Sequence, residues 1–298
     1  MPLRSLFGGG VDWQVELERE TVLPGTVVRG RVTLTPRGRL ETRSCVAALI
    51  ATEQWKYQQT ERDSEGHTRT VTRTRTEELR RLPVQLLPAT VLEAGQSRTL
   101  DFEVPVPPTG PASFEGDVSR LTWDLEVKLD MAGGVDPAAV TPVIVLQPTG
   151  LLSAGAVNTG QFGLWEQVEG STGPIGYRLG LKPVPLCIGR PFTGSLELGA
   201  DIGGRLREVR LELKVRAEAT VSGGLSEEHL LFAGRLPSDG GLRAGRHDWS
   251  GTVETRWLPS IDLPHGRARA RFDIVIDRPL ARDEHLSRDV ALASTTEA

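Results

Sequence analysis

Cysteine is nearly absent. Two residues in a chain of 298, Cys45 and Cys187, stand among mostly apolar neighbours. So sparse a set excludes a disulfide-stapled scaffold, and both thiols are expected to be reduced and buried. Long apolar runs are missing as well, so no segment reads as a membrane-spanning helix. The opening MPLRSLFGGG is too short an apolar run for a signal peptide, which predicts a cytoplasmic protein. Leu3, Leu6 and Phe7 offer the only peripheral membrane contact to consider, and they read instead as a frayed or docked terminus. Positive charge is not in excess: the net charge of −4 argues against nucleic acid as a partner. Lysine is scarce, at positions 56, 128, 182 and 214 alone, so nearly all of the 35 basic residues are arginine. That bias hints at a GC-rich, bacterial genome.

Catalytic signatures are also lacking. There is no GxSxG elbow, phosphate loop, dinucleotide fingerprint, EF-hand loop or HExxH. His67, His229, His247, His265 and His285 are scattered, and none has a second histidine or cysteine at ligand spacing. Asp130 and Asp136 flank the MAGGVD turn, where calcium comes to mind, but a turn between strands needs no metal. The reading is therefore no catalytic residue, no metal and no cofactor, and an enzyme is left as a remote alternative that needs groups converging from distant loops.

What the chain does have is strand patterning. Leu100, Phe102 and Val104 alternate with polar residues or proline, and Leu121, Trp123, Leu125, Val127 and Leu129 repeat that period of two. Between the two runs, Pro105, Pro107, Pro108 and Pro111 cannot donate to a ladder, so the chain must leave the sheet there. No sustained 3.6-residue periodicity appears anywhere. The pattern predicts an all-β protein of two tandem antiparallel β-sandwiches.

The two halves also echo each other. At an offset of 164, Trp13, Val15 and Leu17 fall on Tyr177, Leu179 and Leu181, Gly25 on Gly189, and Cys45, Ala47 and Leu49 on Val209, Leu211 and Leu213. Further along, AGQ at 94–96 meets AGR at 244–246 at an offset of 150, which places an insertion in the first half between Trp55 and Glu78. This reads as an internal duplication, with domains at 1–152 and 153–298 joined by the small-residue stretch 148–160. A closing strand is expected around Ser287 to Leu292.

The succession of glycine, extended run, proline loop, Ser113-Phe114-x-Gly116 and aromatic strand resembles the N-terminal domain of the arrestin-like superfamily. Ser113 to Gly116 is similar to the alpha-arrestins, and the inferred origin and compact second domain are similar to the bacterial sporulation-control proteins. The resemblance implies two immunoglobulin-like sandwiches and a non-catalytic adaptor or scaffold that binds other proteins. There is no PPxY motif and no clathrin-box-like tail, so recruitment of ubiquitin ligases and endocytosis are not implied.

The most unusual surface is the polar stretch Glu53 to Glu78, read as a long hairpin turning at Ser64 to His67. Its candidate partner-binding residues are Trp55, Lys56, Tyr57, Arg62, Arg69, Arg73 and Arg75. Two registers stand open. If Trp55 faces Thr76, Lys56 and Arg62 join Arg69, Arg73 and Arg75 in one basic stripe. If Trp55 faces Arg75, Tyr57 and Glu61 lie beside the arginines and absorb part of that charge. A solvated hairpin guarded by charge, a recognition surface for acidic or phosphorylated protein partners, and an edge for homo-oligomers all fit.

Overall fold

The computed structural model describes residues 10–62, 67–133, 135–152, 164–170, 173–199, 207–236, 244–277 and 283–295. Strand accounts for 71% of the chain and helix for 1%, so the protein is all-β. Residues group into two compact units. One comprises 1–54, 74–113 and 120–146, and the other 55–73, 114–119 and 147–298. The second unit thus takes in two stretches that lie early in the sequence. The N-terminal Leu3, Leu6 and Phe7, the turn at 63–66 and most of the 148–160 connection fall outside the described residues.

The first half runs through β1 (Val11–Leu17), β2 (Thr21–Val22), β3 (Val27–Pro36), β4 (Leu40–Arg62), β5 (Thr68–Leu87), β6 (Thr90–Leu92), β7 (Arg98–Pro105), β8 (Phe114–Glu115), β9 (Ser119–Met131) and β10 (Ala138–Val145). One sheet of the first unit has the order β1-β3-β7, antiparallel throughout. The other runs β2-β10-β9-β4-β5, with β2 parallel to β10. The alternation seen in the sequence becomes the core: Phe102 and Val104 from β7 face inward, as do Leu121, Trp123, Leu125, Val127 and Leu129 from β9. Gly30 opposes Phe102, and a Cβ there would stand 2.6 Å from the ring, so only glycine lets the phenyl cross that strand. After the proline loop, Ser113 returns the chain to the sheet. Its N–H donates to Val145 O at 2.8 Å and its Oγ accepts from Val145 N at 2.9 Å.

The second half supplies β11 (Trp165–Gly170), β12 (Gly173–Lys182), β13 (Leu186–Cys187), β14 (Pro191–Leu198), β15 (Glu208–Ala219), β16 (Ser226–Arg235), β17 (Gly245–Thr252), β18 (Ile261–Asp262), β19 (Gly266–Asp277), β20 (Glu284–Val290) and β21 (Leu292–Ala293). One sheet is β11-β12-β14-β17, and the other is β16-β15-β19-β18 with β20 also on β19. The expected closing strand is therefore split into β20 and β21 at Ala291. Phe192, Phe232, Trp249 and Phe272 form an aromatic cluster between the two sheets, with centroids 5.0–6.4 Å apart. A short parallel pair, β13 with β21, repeats the arrangement of β2 with β10. Ser260 repeats the part of Ser113, with its N–H on Leu292 O at 2.8 Å and Leu292 N on its Oγ at 3.1 Å.

Both cysteines are free and buried. Burial alone pushes the Cys45 thiol up to about 12, and burial raises that of Cys187 against a smaller lowering by Arg190, which disfavours the reactive thiolate at both.

Candidate functional site: the hairpin of β4 and β5

Contacts across the hairpin settle its register. Gln54 Nε2 reaches Thr76 Oγ1 at 3.4 Å, Arg69 Nη2 lies 3.5 Å from Glu61 Oε2, and Arg73 Nε donates to Glu61 Oε1 at 3.1 Å. Odd-numbered residues of the two strands thus share a face, which is the arrangement in which Trp55 accompanies Arg75. Arg69, Arg73 and Arg75 line up on the face of Tyr57 and Glu61, while Lys56 and Arg62 go to the threonine face. The single stripe joining all five cations does not form.

Glu61 is the centre of the charged face. It is the less exposed partner, at 24% against 72% for Arg69 and 52% for Arg73. The hydrogen bond from Arg73 is the main cause holding its carboxyl below the usual range. The same bond raises the guanidinium of Arg73. Both groups are open to water, so the pair orders side chains more than it stabilises the fold. One carboxylate facing two arginines leaves that patch net positive.

β5 ends the order of its sheet, and residues 68–78 are exposed except for the half-buried Val71. Its outer row of backbone donors and acceptors is the kind of edge to which another strand can add. Arginine and threonine at alternate positions keep such an edge soluble while leaving the main chain accessible.

The base of the hairpin is different. Trp55 is 5% exposed and stacks on His265, with ring centroids 4.0 Å apart and planes 11° from parallel. Lys56 N donates to Val118 O at 2.8 Å, Leu225 N donates to Lys56 O at 3.2 Å, and Gln58 N donates to Gly223 O at 2.7 Å. Gly223 has φ +70, and a Cβ there would stand 2.4 Å from Gln58 O, so this close backbone approach requires glycine twice over. Of the seven residues singled out in the sequence, Trp55 thus presents no side-chain surface, and Lys56 and Tyr57 are half-buried. Arg62, Arg69, Arg73 and Arg75 are exposed.

Asp130 and Asp136, the pair at the MAGGVD turn, face cations of the protein itself. Asp136 accepts from Met131 N at 3.0 Å and contacts Lys128 at 2.9 Å, while Asp130 lies 3.7 Å from Arg43. The stack on His265 has no local sequence signal, because its partner is some two hundred residues away.

No helix is long and apolar enough to cross a membrane among the described residues. A family model described as SpoOM protein matches residues 3–154. No curated protein matches the chain.

Proposed function

The chain belongs to the Spo0M family, and from that premise we propose that it is a non-catalytic, arrestin-like sporulation-control adaptor that binds another protein in the cytoplasm along the edge of β5. The observation that carries this reading is the 20-residue strand at the end of its sheet, with three arginines in line on one face. An extended segment of a partner would take the main-chain hydrogen bonds, and its carboxylates or phosphates would meet the arginine forks. Such a segment competes with Glu61 for Arg69 and Arg73, so acidic partners are favoured over neutral ones.

The test is quantitative affinity capture from lysate of the source organism, comparing the native chain with the triple variant Arg69→Glu, Arg73→Glu, Arg75→Glu. Partners held by the native chain and lost with the variant support the adaptor. An identical partner set from both sinks it.

The same edge supports a second reading, a self-associating structural protein in which β5 pairs with β5 of another copy. Light scattering at micromolar concentration separates the two: a strict monomer ends the structural version.

A further inference from the structure

Away from the face of the hairpin, three ligand-type side chains meet within the second unit. Glu227 and His229 are two residues apart on β16 and so point to one face, and Asp117 comes from the turn between β8 and β9. An oxygen of each carboxylate and a nitrogen of the imidazole all lie within 4.8 Å of one another.

The carboxylate of Glu227 is held in place before any ligand is considered. Its Oε1 accepts the backbone N–H groups of Asp117 at 2.6 Å and Val118 at 3.0 Å, which leaves Oε2 directed at His229. Gly116 makes this possible, since a Cβ there would lie 2.6 Å from Oε1. Fixing a carboxylate by backbone donors through one oxygen, with the other left over, is how outer-shell bonds orient metal ligands.

His229 supplies the second observation. It is 9% exposed, and its Nε2 is buried without a hydrogen-bond partner. Yet that nitrogen stands 3.2 Å from Glu227 Oε2. The contact has the distance of a hydrogen bond and lacks its direction. Two ligand atoms bound to one tetrahedral zinc, each about 2.0–2.1 Å from the metal, stand about 3.3 Å apart and do not point at each other. A buried polar atom left unpaired calls for a partner, and an ion placed between these groups provides one.

We propose that Asp117, Glu227 and His229 form a divalent metal site of the zinc class. One imidazole nitrogen with two carboxylate oxygens suits zinc and neighbouring first-row ions, whereas calcium and magnesium prefer all-oxygen sets. Three protein ligands leave a position for water or for a donor from a partner. Asp117, exposed at the rim, gives the ion its way in. In the sequence the only trace is the Glu-x-His spacing on a strand, because the third ligand comes from a distant turn. The inference is independent of the role assigned to β5.

The test uses the full chain, free of any histidine tag and stripped of metal, titrated with zinc chloride in competition with a chromophoric chelator. The expected result is one zinc ion per chain, with affinity falling at least tenfold in Asp117→Asn and in His229→Gln. The exposed His285→Gln should bind like the native chain. Zinc should also raise the unfolding midpoint of the native chain and leave that of Asp117→Asn unmoved. Absence of stoichiometric binding, or binding unaltered in Asp117→Asn, overturns the site. Asp117 is exposed, so its variant decides the matter even if His229→Gln does not fold.

Discussion

Trp55 and His265 lie face to face, 4.0 Å between centroids, at the base of the hairpin. The indole is nearly buried, so its value to the fold comes from area removed from water together with the ring contact. Trp55→Ala is expected to cost about 3–5 kcal/mol by urea unfolding. A double-mutant cycle with His265→Ala should return a coupling of about 0.5–1.5 kcal/mol, and a coupling near zero would show that the rings are neighbours without interacting.

In the first core, Phe102→Ala and Trp123→Ala should each cost about 3–5 kcal/mol. Trp123→Phe is the finer probe. It keeps most of the volume but removes the indole N–H that donates to Pro111 O at 3.0 Å, and about 1 kcal/mol of loss is expected. Near-neutral outcomes for both alanine variants would contradict the packing.

The arginine face should behave in the opposite way. The triple variant Arg69→Glu, Arg73→Glu, Arg75→Glu breaks the contacts to Glu61, but exposed pairs contribute about 0–1 kcal/mol. Its melting temperature is expected to stay within a few degrees of native. A larger drop would make these residues structural and would remove the variant as a clean test of binding.

Several carboxyls are held below their ordinary range: Asp12 by Arg37, Glu61 by Arg73, Glu78 by Arg81, and Asp136 by the Met131 N–H and then Lys128. A group whose folded value lies below its unfolded one adds stability that is complete above the unfolded value. That stability is lost as pH falls through the folded one. Asp124, pushed up by burial, acts with the opposite sign. The unfolding midpoint should therefore change little from pH 7 to pH 5 and drop below about pH 4. Asp136→Asn should lessen that drop, as followed by thermal melts across the range.

Ser113→Ala and Ser260→Ala form a matched pair. Each removes the hydroxyl that accepts a buried backbone N–H, from Val145 in one unit and Leu292 in the other. A loss of about 1–3 kcal/mol is expected for each. Strongly unequal losses would mean that the two positions are alike in geometry alone.

Much of the fold was legible because burial on one face writes itself into the chain with period two. Cys45, Ala47 and Leu49, and likewise Val209, Leu211 and Leu213, are all fully buried, as their alternation implies. The proline loop likewise announced where the chain leaves the sheet. The hairpin was harder. With polar residues on both faces of 68–76, no apolar set marks which side of one strand matches which side of the other, so register became visible only through cross-strand contacts, those of Glu61 with its two arginines and of Gln54 with Thr76. Least legible was the cluster of Asp117, Glu227 and His229. Two of its members sit on a strand and the third on a turn more than a hundred residues earlier, and no local spacing links them.

In each unit a two-residue parallel pair joins strands separated by over a hundred residues: Thr21–Val22 with Ile144–Val145, and Leu186–Cys187 with Leu292–Ala293. Neither pair can form until the whole intervening stretch has been made and gathered in. Closing loops of that size costs entropy before the contact repays it, which places both units among slow, topology-limited folders. During that interval β2 and β13 wait with open edges, and the protein is then most exposed to mispairing with other nascent chains.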